Sequence, residues 1–160
     1  MPDFLVRRET AEDVAAVVEL IETLPPEALV VHVARGERWR RLLGNLLAGE
    51  NVGFVAESEG EIVGELALTR GSGVLGLSVA EPSRREGVGT ALVDAAIEWA
   101  RANGLGRLES LVRPENEAGL AFLRSLGFVE EERYDDPEHG RLVALALELV
   151  SLASPGRPVI

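Results

Sequence analysis

The stretch Leu77-Ser78-Val79-Ala80-Glu81-Pro82-Ser83-Arg84-Arg85-Glu86-Gly87-Val88-Gly89-Thr90-Ala91-Leu92 decides the reading of this chain. An apolar strand end runs into a polar turn with two arginines, a Gly-x-Gly corner and a helix start. A helix N-terminus leaves its first backbone N–H groups unpaired and carries a partial positive charge. Gly87 and Gly89 remove the side chains that would hold an anion away from those donors. Arg84 and Arg85 bring cationic charge to the same place. The pattern predicts a pyrophosphate cradle between a strand and a helix.

Rival readings of a Gly-rich corner fare unequally. A P-loop requires Lys-Ser or Lys-Thr after its last glycine, whereas Thr90 follows Gly89 directly and the chain has no lysine. A dinucleotide fingerprint requires a third glycine where Leu92 stands, although Glu109 lies at the distance of its acidic partner. A plain strand-to-helix turn also satisfies this stretch alone.

The composition narrows the class. A chain of 160 residues with 46% hydrophobic content suits one globular domain with a real core. Cysteine is absent, which excludes disulfides, thiolate chemistry and Cys-based metal sites; no metal is expected. The net charge of −11 argues against nucleic acid as a partner, because phosphate binding requires a basic face. No apolar run approaches the roughly 18 residues of a membrane span and no leader pattern opens the chain, so neither a membrane partner nor export is expected and the reading is cytoplasmic.

Periodicity lays out the elements. Phe4–Arg7 alternates as a first strand, and Thr10 with Asp13 forms a capping-box pattern before a helical stripe that stops at Pro25-Pro26. Glu27 to Gly49 has a helical period interrupted at Gly36 and Gly44, which predicts one or two short helices. Trp39, Leu42, Leu43, Leu46 and Leu47 make an apolar stripe there. Val52–Glu57 and Glu61–Thr69 flank Ser58-Glu59-Gly60 as a hairpin, and Val74–Val79 leads into the cradle. The helix after Gly89 carries Ala91, Leu92, Ala95, Ala96 and Trp99 on one side and ends at Asn103-Gly104. Leu108–Val112 is the next strand, Glu115 or Asn116 opens a helix to Leu126, and Phe128–Tyr134 and Leu142–Val150 are the last strands. The expectation is one domain over 1–150 and a loose tail over 151–160. The order β-α-α-β-β-β-α-β-α-β-β describes a mixed α/β (α+β) sheet with helices on it.

Two motifs resemble one family. Val79 to Leu92 is similar to the coenzyme A-binding motif of the GNAT superfamily of N-acetyltransferases, Arg/Gln-x-x-Gly-x-Gly/Ala, with Arg84, Gly87 and Gly89 matching position by position. Pro82 stands one residue later than the family's usual proline, and Arg85 replaces a glycine. Asn116-x-x-Gly119-Leu120-x-Phe122-Leu123-x-x-Leu126-Gly127-Phe128 resembles the second motif, usually Asn-x-x-Ala-Ile-x-Leu-Tyr-x-x-Leu-Gly-Phe. The resemblance runs from Val52 to Leu149. It implies a mostly antiparallel sheet of about seven strands, helices on both faces, and a parallel pair, Val74–Val79 and Leu108–Val112, that splays apart.

The same resemblance implies acetyl-CoA as cosubstrate and a primary amine, of a small molecule or a peptide, as acceptor. Arg84, Arg85, Glu86, Gly87, Val88, Gly89 and Thr90 would surround the pyrophosphate. Pantetheine would lie along Leu77, Ser78 and Val79, with Asn116, Phe122 and Leu123 beside it. An N–H of Leu77 or Ser78 would polarise the carbonyl under attack. Members often dimerise, so a homodimer is a possible state. The family's usual base and acid positions are held here by Leu111 and Leu123, both aliphatic. Substitutes are Glu109, which shares a strand face with Leu111 or simply pairs with Arg107; Glu65, otherwise ordinary strand polarity; and Tyr134, otherwise a half-buried strand aromatic. His32 and His139 read as structural. The alternative to an enzyme is an acyl-CoA-binding domain that kept the cradle without acid–base residues.

Overall fold

In the computed structural model, residues 3–31, 33–84 and 86–149 are described; Arg85, His32 and the expected tail at 151–160 lie outside them. Among the described residues the strands are β1 (Leu5–Arg8), β2 (Asn51–Ser58), β3 (Glu61–Thr69), β4 (Val74–Val79), β5 (Arg107–Val112), β6 (Val129–Asp136) and β7 (Gly140–Glu148). The helices are α1 (Val14–Glu22), α2 (Arg35–Leu47), α3 (Val88–Ala102) and α4 (Glu117–Ser125). The strands form one sheet in the order β1-β2-β3-β4-β5-β7-β6. Every neighbouring pair is antiparallel except β4 and β5. This is the mixed, mostly antiparallel architecture that the sequence implied.

Local chemistry explains the best-matched elements. Glu59 and Gly60 both adopt positive φ, 52° and 82°, the two-residue turn whose twist suits a hairpin. Asp13 accepts a hydrogen bond from the Thr10 N–H at 2.8 Å, so the capping pattern forms, although a short 3₁₀ turn at Ala11–Asp13 precedes α1.

Alternation along the strands divides the core in two. Val52, Phe54, Leu66, Leu68, Leu75, Leu108, Val143 and Leu145 face Val88, Leu92 and Ala96 of α3 and Leu120 and Leu123 of α4. On the opposite face, Val55 packs with Val17 and Ile21 of α1, joined by Leu29, Leu42 and Ile62. Helices therefore cover both faces, and each fully buried aliphatic side chain contributes about 1.5–3 kcal/mol.

The segment before β2 differs from the sequence expectation. After a short 3₁₀ turn at Pro26–Ala28, its one α-helix among the described residues, α2, runs unbroken through both Gly36 and Gly44. A glycine costs about 1 kcal/mol in a helix interior; α2 forms across both, with the exposed Glu37–Arg41 pair at 2.6 Å and Leu42 packed on α1. The apolar stripe is only partly covered: Trp39 is 41% and Leu47 71% exposed. On α3 the buried stripe is Val88, Leu92, Val93, Ala96 and Ala100. Trp99 lies at its margin, with the Arg70 guanidinium 5.2 Å from the ring centroid.

α3 sits tightly on the sheet because Gly64 lacks a side chain. A Cβ at Gly64 would stand 2.8 Å from Val88 Cγ1 and 3.0 Å from Leu92 Cδ1. Both of those residues are fully buried, so neither can swing aside. Gly64→Ala is expected to lower unfolding free energy by about 1–3 kcal/mol, read as a fall in the urea midpoint at unchanged m-value.

Candidate active site

The site starts where a ladder stops. β4 pairs with β5 only at Val74–Glu109 and Leu75–Ser110, yet it continues to pair with β3 as far as Gly64–Val79. Beyond Leu75 the two parallel strands diverge, which is the splay that the resemblance implied. Gly73 O accepts from Glu109 N at 2.9 Å, whereas Ala80 N donates to Val63 O on β3. Main-chain groups alternate in direction along a strand, so Leu77 and Val79 turn their N–H and C=O toward the gap and Ser78 turns its toward β3. Of Leu77 and Ser78, Leu77 is thus the one with an N–H directed into the opening. Ser110, buried, donates its hydroxyl to Leu75 O at 3.2 Å and reinforces the last rung.

The α3 N-terminus lies directly downstream. Gly87 is its N-cap with φ 88°, a left-handed conformation that costs another residue about 1–2 kcal/mol. The Gly87 carbonyl accepts from Ala91 N at 3.0 Å, and the first-turn N–H groups of Val88, Gly89 and Thr90 have no intrahelical partner. Gly87, Thr90, Glu86 and Arg84 are exposed, while the Val88 side chain is buried in the core. Arg84 Nε donates to Val79 O at 3.4 Å, which draws the guanidinium toward the end of β4. A Cβ on Gly89 would stand 3.0 Å from Phe122 Cζ, so the two motifs meet at this contact. The backbone-lined corner, with its free donors and nearby cation, fits a pyrophosphate.

Asn116 caps α4, its Oδ1 accepting from Gly119 N at 3.0 Å. A Cβ at Gly119 would lie 2.6 Å from Asn116 Nδ2, which explains a glycine where the family usually has alanine. Leu123 is buried among the core residues, so a tyrosine ring there would have to displace packed neighbours.

The three substitute acid–base residues occupy different environments. Glu109 pairs with Arg107 at 3.0 Å, and the same guanidinium holds Glu131 and Glu148; the pairing alternative describes it. Tyr134 is half-buried on β6 opposite Leu142. Burial, then Asp136, Glu132 and Glu109, raise its phenol pKa and keep it protonated. It stands two strand spacings, about 10 Å, from β5. Glu65 does not face solvent: it is 3% exposed on the α1-covered face, between Val55 and Ser78 in register.

Glu65 meets Glu9, itself 8% exposed, which the sequence reading did not single out. Glu9 follows β1 and fills the space over Gly53, where a Cβ would collide with it. Burial, and then each other's charge, raise the Glu65 carboxyl well above its ordinary value, and burial raises Glu9. No cation pairs with either carboxyl among the described residues, and Arg7 is engaged by Asp13 through two bonds of 2.9 Å and by Glu57 at 3.0 Å. Both shifts favour one proton held between the two carboxyls, and among the described residues Glu65 Oε2 has no hydrogen-bond partner. Arg113 also escaped the sequence reading; its guanidinium bonds the carbonyls of Leu29, Val30 and His139. Among the described residues no helix is long and apolar enough to cross a membrane.

Comparison with known proteins agrees with this geometry. The model of the acetyltransferase (GNAT) family matches residues 15–128. An uncharacterized N-acetyltransferase of Methanocaldococcus jannaschii is 43% identical over 49 residues, 31% of this chain and 22% of that protein's length. The crystal structure of the ribosomal-protein-alanine N-acetyltransferase of Brucella melitensis superposes with a TM-score of 0.76 at 24% identity, over 91% of this chain and 99% of that one. A putative acetyltransferase of Salmonella typhimurium, solved with its cofactor acetyl-CoA, gives 0.73 at 19% identity over 96% and 98%. These two likenesses show the fold.

The shared proton has a measurable consequence. Above the ordinary glutamate pKa of about 4.3 an unfolded chain releases that proton while the folded pair keeps it. Stability is therefore highest on the acid side and falls as pH rises toward the folded pKa. Glu65→Gln, which keeps the shape and a donor, is expected to flatten this slope and raise Tm most at alkaline pH. Parallel slopes for the two proteins in thermal melts across pH would show that the pair holds no extra proton.

Proposed function

This chain belongs to the acetyltransferase (GNAT) family, and from that premise we propose that it transfers the acetyl group of acetyl-CoA directly to a primary amine. The observation that carries the reading is the β4–β5 ladder that ends at Leu75–Ser110, just upstream of a glycine-lined helix N-terminus. Acetyl-CoA supplies an activated acyl carbon on a thiol leaving group. The first-turn N–H groups of α3, with Arg84 and Arg85, would hold its pyrophosphate. Leu77 and Val79 would take up the pantetheine amides as an added strand does. The Leu77 N–H is aimed to stabilise negative charge on the acyl oxygen.

The amine would approach from the face of β5 that carries Glu109 and Leu111, away from α3 and α4. It must arrive neutral, so positioning and desolvation supply most of the rate. No aliphatic residue at Leu111 or Leu123 can move a proton. Tyr134, held protonated, is a side chain on that face able to donate one, and solvent completes the relay. Because Glu109 is tied to Arg107 and Glu65 is buried with Glu9, an acyl-CoA-binding domain without turnover is the second reading.

One experiment separates the two. Acetyl-CoA binding is measured by calorimetry, and coenzyme A release is followed across a panel holding a polyamine, free amino acids and an alanine-initiated peptide. Binding with amine-dependent release is the expected result; binding without release supports the second reading, and no binding refutes both. Gly89→Val is expected to abolish acetyl-CoA binding in a folded protein, because its side chain enters the Phe122 contact and the cradle. Tyr134→Phe is expected to lower kcat by about tenfold or more at unchanged acetyl-CoA affinity; an unchanged kcat would remove Tyr134 from the proton path.

A further inference from the structure

Arg113 follows the last residue of β5, and strand alternation puts its side chain on the face of Glu109 and Leu111. Its guanidinium donates only to main-chain carbonyls: Nε to Leu29, Nη2 to Val30 at 2.7 Å and Nη1 to His139 at 2.8 Å. Leu29 and Val30 belong to the connection between α1 and α2, and His139 to the turn between β6 and β7. One side chain thus joins two segments that lie 84 and 26 residues from it in sequence.

Both segments depend on side chains for order. Leu29 and Val30 lie in no strand or helix, so their carbonyls must find partners outside a ladder. Arg38 takes the next one, donating to Val31 O at 2.9 Å. The β6–β7 turn is shaped by Asp136, whose carboxylate accepts from Glu138 N at 3.0 Å and His139 N at 2.8 Å, and by Gly140 at φ 79°. Arg113 ties this preformed turn to the irregular loop. A planar guanidinium directs its donors outward in a fixed fork, which a lysine ammonium does not reproduce. No carboxylate pairs with Arg113 among the described residues.

Resting on the proposed acetyl transfer, we infer that Arg113 is a positioning residue that straps the two walls of the acceptor site together and so sets which amine is held for attack. The loop at Leu29–Val31 and the turn at His139 flank the side of β5 opposite the α3 cradle. With the amine approaching on that face, the strap would set how far apart the two segments stand, and only Arg113 contacts both through hydrogen bonds among the described residues. Loosening the strap leaves the pyrophosphate cradle untouched and costs acceptor orientation.

The test uses the full chain and two readouts. Hydrogen exchange by mass spectrometry follows the amides of Ala28 and Leu29 and those of Glu138 and His139, all hydrogen-bonded in the folded protein. Steady-state kinetics use acetyl-CoA with whichever panel amine the wild type acetylates fastest. Arg113→Ala is expected to speed exchange about tenfold in both segments together, to leave acetyl-CoA affinity by calorimetry unchanged, and to raise the amine KM about tenfold with kcat within about twofold. Arg113→Lys is expected to restore protection to one segment and an intermediate KM; it carries the test if the alanine variant does not fold. Unchanged exchange in either segment overturns the strap. Faster exchange with an unmoved amine KM overturns the acceptor role alone, whereas a wild type that binds acetyl-CoA but acetylates no amine overturns that role together with the reading beneath it.

Discussion

The parallel ladder between β4 and β5 makes two residue pairs and stops. The candidate site is built around that termination. Backbone N–H and C=O groups that lack a partner are costly unless water or a ligand meets them, so the opened edge of β4 beyond Leu75 is a demand for an extended, amide-bearing ligand. The antiparallel β3–β4 pairing holds β4 straight through Val79, while β5 is held from its other side by β7 over its whole length. Each strand is therefore held by its outer neighbour, and the gap lies between two paired strands.

Electrostatics then sorts the two sides of the gap. On the α3 side, free N–H groups, a helix N-terminus and Arg84 concentrate positive potential at the cradle, in a chain whose net charge is −11. On the opposite side, charges are largely consumed internally. Arg107 gathers three glutamates, Arg7 holds Asp13 and Glu57, and Arg113 is spent on carbonyls. Under the proposed acetyl transfer, proton movement falls to groups such as Tyr134 and to solvent, which fits chemistry that runs on positioning and a tolerable leaving group.

The Glu9–Glu65 pair shows what the sheet tolerates beside the site. Two carboxyls under α1 stay buried because they keep a proton between them, and Gly53 leaves the space that Glu9 occupies. Such a pair stabilises less than an apolar pair of the same shape, and it gives the fold a pH dependence that a hydrophobic contact would lack.

Local patterns in the sequence determined the elements and the cradle. The limits of β3 and β4, the Asn116 cap and the hairpin at Glu59–Gly60 rest on interactions among residues a few positions apart, which spacing alone reveals, whereas α3 starts at Val88, earlier than the expected start after Gly89. Periodicity also tells which residues share a face. What covers that face is a tertiary matter: Glu65 has the alternation of a surface position and is buried because α1 lies over it. The same holds for α2, where Gly36 and Gly44 argue for breaks, yet the helix runs unbroken with Leu42 packed on α1. The early end of the β4–β5 ladder, the shared proton of Glu9 and Glu65, and the three carbonyls of Arg113 join residues 26 to 84 positions apart. Contacts at that separation leave no periodic trace, because they are set by how whole elements stack and not by the order of neighbouring side chains.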